Sequence, residues 1–260
     1  MEALWVAKTG LDAQQTRMTV VSNNLANVNT NGFKRGRAIF EDLLYQNISQ
    51  VGGATSQDTE QPTGLNLGTG VRVVATEKSF TQGTTVNTGN PLDVMISGRG
   101  FFQVLLPDGT QAYTRDGSFK IDSEGRLVTA NGYEVQPALT IPNGVTSITV
   151  AGDGLIQATM TGQVDPVTLG QVQIADFINP AGLQPRGQNL LVETAASGTP
   201  QVGNPALEGR GEIVQGAVEG SNVNVVEELV GMIETQRAYE MASKAISTSE
   251  QMLQYLNNNL

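Results

Sequence analysis

The last forty residues, Ser221 to Leu260, constrain the chain most. Counting in sevens from Val225 gives Met232, Tyr239, Ile246, Leu253 and Leu260, all apolar. From Tyr239 onward Ala242, Ser249 and Leu256 complete a 3-4 spacing, and Leu229 and Ile233 add apolar positions on the same segment. A seam of this kind belongs to a helix that buries one stripe against another helix. The helix has a written start. Asn224 can cap it, Glu227 sits where a capping box returns, and Glu228 adds negative charge at the positive end of the helix dipole. Neither Gly nor Pro follows Gly231. A helix from Val225 to Asn257 would be about 50 Å long at 1.5 Å per residue, more than one ordinary core covers.

The first twenty-eight residues carry the same signature. Leu4, Leu11, Met18 and Leu25 recur in sevens, interleaved with Ala7, Gln14, Val21 and Val28, and of these eight positions only Gln14 is polar. Two seams predict that the termini pair as a coiled coil. Charge agrees, because Met1 to Ala38 has five basic residues (Lys8, Arg17, Lys34, Arg35, Arg37) and two acidic (Glu2, Asp12). Glu219 to Leu260 has six acidic residues (Glu219, Glu227, Glu228, Glu234, Glu240, Glu250) and two basic (Arg237, Lys244). Opposite signs favour pairing one terminus with the other over pairing either with its own copy. The alternative is that each stripe packs on a β body of the same chain.

Composition narrows the function. The chain of 260 residues has no Cys and no His, which removes thiolate nucleophiles, disulfides, most zinc and iron sites and the side chain that titrates near neutrality. No metal or other cofactor is expected. A net charge of −10 argues against nucleic acid as a partner. No apolar run reaches the roughly eighteen residues of a membrane span, so membrane insertion is not expected. The start, Met1-Glu2, lacks the basic and apolar regions of a cleaved secretory signal. The carboxylates Asp116, Asp122, Glu124 and Asp153 lie beside or near Gly and read as turn residues. Asp122 to Gly125 fails as a calcium loop for want of further oxygen ligands and a closing Glu. Gly98-Arg99-Gly100 is a bend, without the third Gly and the helix of a nucleotide site. The enzyme alternative is a carboxylate-dependent glycosidase or peptidoglycan hydrolase riding on a β scaffold, and no motif gives it a mechanism.

Thirty Gly and a single Trp point to a turn-rich β middle. From Val71 short alternating runs are predicted as strands: Val71–Ala75, Leu92–Ile96, Phe101–Leu106, Gln111–Arg115, Ser118–Ile121, Arg126–Thr129, Tyr133–Gln136, Ser147–Val150, Leu155–Thr159, Gln171–Phe177 and Gln188–Glu193. Asp108-Gly109, Glu124-Gly125, Asn131-Gly132 and Asp153-Gly154 are hairpin dipeptides. Ala38 to Asn47 reads as short helix or extended chain, and Ser49 to Gly70 on composition alone reads as a long flexible loop. The first helix is expected to fray where Asn becomes dense and to stop at Gly32. The fold class is therefore α+β: terminal helices (1–32 and 221–260), a connecting segment with an extended or hairpin form (33–90 and 206–220), and an inserted β domain (91–205).

One stretch carries a family likeness. Asn24, Leu25, Ala26, Asn27, Asn31, Gly32, Phe33 and Lys34 resemble, residue by residue, the signature of the bacterial flagellar rod and hook family, axial proteins that stack helically into a drive shaft. Phe101 to Phe119 resembles that family again. So do Ser221 to Leu229, Met232-Ile233 and Gln236 to Glu240, with the departure that Met241-Ala242 stands where the family commonly has Ile-Asn. The resemblance covers essentially the whole chain and is closest to the distal-rod branch. It implies that Tyr45, Gln46, Ile48, Gln50, Pro62, Gly64 and Leu65 belong to an added segment that locks neighbouring subunits and makes the rod straight and stiff. It implies a non-catalytic subunit, self-assembling into a rigid helical shaft that transmits torque to the hook. The alternative is a paralogous axial protein, a proximal rod or hook subunit. Implied partners are further copies of the chain, other rod proteins, the hook protein, the surrounding ring bushing, and the export apparatus and rod cap during assembly. The implied location is the periplasmic span of the basal body, reached by export without a cleaved signal. Leu4, Leu11, Met18, Val21, Leu25, Val225, Leu229, Met232, Ile233, Tyr239, Ile246, Leu253 and Leu256 are then the expected assembly interface.

Overall fold

A computed structural model describes residues 2–49, 54–56, 59–60, 63–162 and 165–258. The chain divides into two compact units, one formed by 1–26, 36–77 and 224–260 and the other by 27–35 and 78–223.

The first unit holds both terminal helices, α1 (Glu2–Ala26) and α2 (Val225–Asn258). Asn224 opens α2 as expected: its side-chain oxygen accepts a hydrogen bond from Val226 N at 3.1 Å, and its carbonyl accepts one from Glu228 N at 3.0 Å. The helices pack on each other, so the terminus-to-terminus pairing is the one realised. Their direction follows from two contacts. Arg17 lies 3.7 Å from Glu234 and Asn24 donates to Glu228 at 3.2 Å, so numbers rise on α1 as they fall on α2 and the pair is antiparallel. α1 stops at Ala26, well before Gly32. The Asn-rich segment after it is a run of turns rather than a fraying helix, with Thr30 N bonded to Asn27 O at 3.2 Å and Phe33 N to Thr30 O at 3.2 Å.

The same unit contains a two-stranded ribbon. Strand Gly36–Asp42 pairs with Val71–Lys78, Tyr45–Ser49 with Leu65–Gly68, and Ala54–Ser56 with Thr59–Glu60, three nested antiparallel pairs along one excursion of the chain. The register is continuous across the first gap, where Leu43 N donates to Gly70 O at 2.9 Å and Thr69 Oγ1 to Leu44 O at 2.6 Å. What composition suggests is a loop is thus hydrogen-bonded over most of its described residues. Loop composition won the reading because the ribbon is exposed on both sides, and its strands lack the inside-outside alternation that marks a half-buried strand.

The second unit is built on strand Phe101–Leu105. One edge of it pairs with Gln111–Thr114. The other is shared by Glu134–Gln136 and Ile174–Asp176. Both faces are buried, which is why Phe101 to Leu106 is a continuous apolar run broken only by Gln103. Phe102, Val104, Phe119, Val135, Ile156 and Ile174 fill the larger core, and Phe101, Tyr113, Phe177, Leu183 and Leu191 fill a second on the opposite face. Rings meet edge to face, Phe102 with Phe119 at 5.1 Å and Tyr113 with Phe177 at 4.8 Å. A second sheet joins Val145–Val150, Leu155–Met160 and Val167–Gln171. The returning chain closes the unit through Glu212–Gln215 on Val94–Ser97 and Ala217–Glu219 on Thr85–Asn87. The four hairpin dipeptides behave as their chemistry requires, placing Gly109, Gly125, Gly132 and Gly154 at φ of 80, 81, 83 and 85°. Asp108, Asp116 and Asp153 are turn residues, each accepting from the backbone two positions on. Gly98-Arg99-Gly100 is a bend.

Candidate assembly interface

Within the first unit, burial sorts the predicted interface residues by face. α2 packs on α1, and the face of α2 that does so runs through Glu228, Met232, Thr235, Ala242, Ile246 and Ser249, all buried or half-buried. Thr235 is fully buried, and its hydroxyl is satisfied by Gly231 O at 2.6 Å, which lets a polar residue sit on that face without cost. The seam from Met232 to Ser249 is therefore the face of α2 that meets α1. Tyr239 lies on the same side but keeps 40% of its surface. Val225, Leu229 and Ile233 are exposed instead. Leu229 and Ile233 combine with Val226 and Val230 into a second apolar stripe at i, i+3, i+4 and i+7, on the side of α2 away from Glu228 and Thr235. On α1, Ala13, Val21 and Asn24 are buried, while Leu4, Leu11, Met18 and Leu25 are half-buried. The predicted α1 seam thus lies at the margin of the packed face. The side chains of Leu253 and Leu256 lie outside the described residues. In the ribbon, Tyr45, Gln46, Ile48 and Leu65 are exposed and Gly64 is half-buried, while Gln50 and Pro62 lie outside the described residues.

The family-like motif resolves into two polar nodes, one in each unit. In the first, buried Asn24 grips the backbone of Gly36 as a strand would: its amide donates to Gly36 O at 2.8 Å and its carbonyl oxygen accepts from Gly36 N at 2.8 Å. The third bond, from the same amide to Glu228, ties α1 to the start of α2. Leu25 and Ala26 end the helix beside it.

In the second unit the node is Glu219, whose side chain is wholly buried. Its carboxylate takes Lys34 Nζ at 2.6 Å, Gly83 N at 2.9 Å and Arg115 at 3.3 Å, and its carbonyl takes Gly32 N at 2.7 Å. Lys34 also donates to Thr81 O at 2.8 Å, and Arg115 to Gly98 O at 2.6 Å, with the guanidinium 5.3 Å above the Phe101 ring. Burial pushes the Lys34 ammonium below its ordinary value, and Glu219 pulls the other way. Burial likewise lowers Arg115, against the pull of Glu219. Gly32 adopts φ +67°, and an added Cβ would come within 2.7 Å of Asp116 N, so only Gly fits there. Asn31 O accepts from Asn189 at 3.1 Å, and Thr30 donates to the Asn27 side chain at 3.2 Å. Phe33 lies under Lys78 at 5.6 Å. Asn222 binds Arg35 N at 2.7 Å and Ser79 O at 2.9 Å, joining three passes of the chain.

Sequence reasoning misses Glu219, Arg115, Asn222 and Glu228 as determinants, since Glu219 reads only as charge, Arg115 as strand, Glu228 as helix start and family-like stretch, and Asn222 as part of that same stretch before α2. The one available signal was that Lys34 closes a motif otherwise made of Asn, Gly and apolar residues, where a cation needs a buried partner.

The chemistry of both nodes is fastening, with every carboxylate engaged by donors rather than aimed at open space. Comparison with known proteins agrees. Residues 4–34 match the family described as flagella basal body rod protein, ending at Lys34, residues 214–259 match the flagellar basal body rod FlgEFG protein C-terminal, and residues 95–158 match the flagellar hook protein FlgE/F/G D1 domain. The flagellar basal-body rod protein FlgG of Buchnera aphidicola is 56% identical over 255 residues, covering 98% of each chain. Its counterpart in Caulobacter vibrioides is 48% identical over 98% of this chain and 97% of that one, and in Bacillus subtilis 36% over 99% and 98%. With terminal helices paired, a β body between them and relatives of this identity along its whole length, the chain belongs to the flagellar basal-body rod protein FlgG family, a structural and not an enzymatic family.

Proposed function

We propose that the chain is the subunit of the flagellar distal rod and that it polymerises through its first unit into a straight shaft carrying torque to the hook. The observation that carries this reading is the second apolar stripe of α2. One face of that helix is spent on α1, and Val226, Leu229, Val230 and Ile233 remain uncovered on another. Each aliphatic side chain of that kind gains about 1.5–3 kcal/mol when fully buried, a strong drive toward neighbours when repeated in every subunit. The predicted residues on α1, Leu4, Leu11, Met18 and Leu25, are half-exposed and available to the same assembly.

The ribbon is the proposed stiffening segment. A two-stranded ribbon is marginal in water, and this one exposes Leu44, Tyr45, Ile48, Leu65 and Leu67, so it gains stability by lying on a neighbouring subunit. Other rod proteins, the hook protein, the ring bushing, the export apparatus and the rod cap are the proposed partners, and the periplasmic span of the basal body the proposed location. Among the described residues no helix is long and apolar enough to cross a membrane. The test is electron microscopy of the purified chain over a concentration series. Straight filaments with a sharp concentration threshold are expected, and a chain that stays monomeric throughout contradicts the reading.

A further inference from the structure

The first unit has a groove as well as a stripe. Leu4, Trp5, Val6 and Lys8 of α1 face Leu67 and Thr69 of the ribbon across an apolar groove of about 610 Å³. Trp5 keeps 56% of its surface there, with Lys8 Nζ 5.5 Å from its ring centroid. The groove lies at the start of α1. The antiparallel register places the start of α2, and hence the stripe, at the other end of the helix pair.

We infer that the stripe Val226, Leu229, Val230 and Ile233 of one copy docks in the Trp5 groove of the next. This rests on the self-assembly reading and assigns the contact that propagates it. Three features fit. The spacing i, i+3, i+4, i+7 is that of a helix laid in an apolar groove. The charges match, because the charged residue lining the groove is Lys8, whereas the exposed carboxylates on the first three turns of α2 are Glu227 and Glu234, the latter 3.7 Å from Arg17 of its own chain, with no cation before Arg237 and with Glu228 turned to α1. Groove and stripe are different surfaces at opposite ends of one helix pair, so the contact of one copy's stripe with the next copy's groove is heterologous, and where the rotation between copies does not close, repetition gives an open chain of subunits.

The absence of Cys makes this testable by crosslinking. Val6→Cys in the groove and Val230→Cys in the stripe are introduced singly and together, and the full-length chains are concentrated to the point where the parent polymerises, then oxidised. The double variant should run as a ladder of trimers and longer species on a non-reducing gel, and each single variant should not pass dimer. A double variant that polymerises like the parent yet stops at dimer overturns the docking and leaves self-assembly standing. A parent that never polymerises removes the self-assembly reading and this contact with it.

Discussion

Glu219 is held by two cations and a backbone amide in a site without water access, and such a group is worth most when its partners are removed one at a time. Glu219→Gln leaves Lys34 and Arg115 buried without their counter-charge and should cost about 3–5 kcal/mol in urea unfolding. Arg72→Ala, which breaks an exposed pair with Glu41, should cost less than about 1 kcal/mol. Equal effects at the two sites would contradict the node. Asp108 tests local electrostatics differently. The Thr110 amide and then Arg186 hold its carboxyl down to about 2 from an ordinary 3.8. Between those values the folded chain binds fewer protons than the unfolded one, so this group favours folding above pH 3.8 and its contribution fades as pH falls toward 2. Side-chain carboxyl shifts followed by NMR should show Asp108 titrating near 2, and titration at the ordinary value would show that the turn does not hold. Of these residues the sequence displays the turn of Asp108, because an Asp-Gly hairpin is a local pattern. It hides Glu219, because Lys34 and Arg115 reach it from far along the chain.

The same divide between local and remote runs through the elements. α2 is legible almost to the residue, with Asn257 expected and Asn258 found as its end, since cap, heptads and the absence of breakers are all written in one stretch. The end of α1 is not, because Asn24 stops the helix by gripping Gly36, an event in three dimensions that the Asn31-Gly32 signal does not encode. Strands Thr85–Asn87 and Ala217–Glu219 escape for a related reason. Each is three residues long and is a strand only because of the other. The seam of α2 is testable through Ile246→Asp, half-buried on the side that packs on α1. A carboxylate there should lower helical circular dichroism and abolish polymerisation, whereas Glu250→Ala, at an exposed position, should change neither. Unchanged helicity and assembly in Ile246→Asp would remove the seam from the account. Deleting Gln50 to Asn66 shortens the ribbon alone. The β melting transition should stay where it is while the polymer loses its straightness in micrographs, and an unaltered rod would reduce the ribbon to an ordinary hairpin.

At the scale of the whole molecule the chain divides into two compact units. The unit of 27–35 and 78–223 has two aromatic-rich cores and a buried ionic node, all that a self-sufficient fold needs. The helical unit is finished on one side only, and its fold class was readable because two heptad seams of opposite charge stand at the two ends of one chain. Which helix face meets α1 and which is left over was not readable, because α2 is apolar on both. The leftover face is the centre of the account, and Val230 tests it with least damage, being half-exposed at 50% and on the side away from Glu228 and Thr235. Val230→Asp should match the parent in circular dichroism and melting temperature as a monomer and remain monomeric in sedimentation velocity at concentrations where the parent forms rods. Rods at the parental threshold would mean that this face of α2 stays in solvent and that the polymer is held together elsewhere.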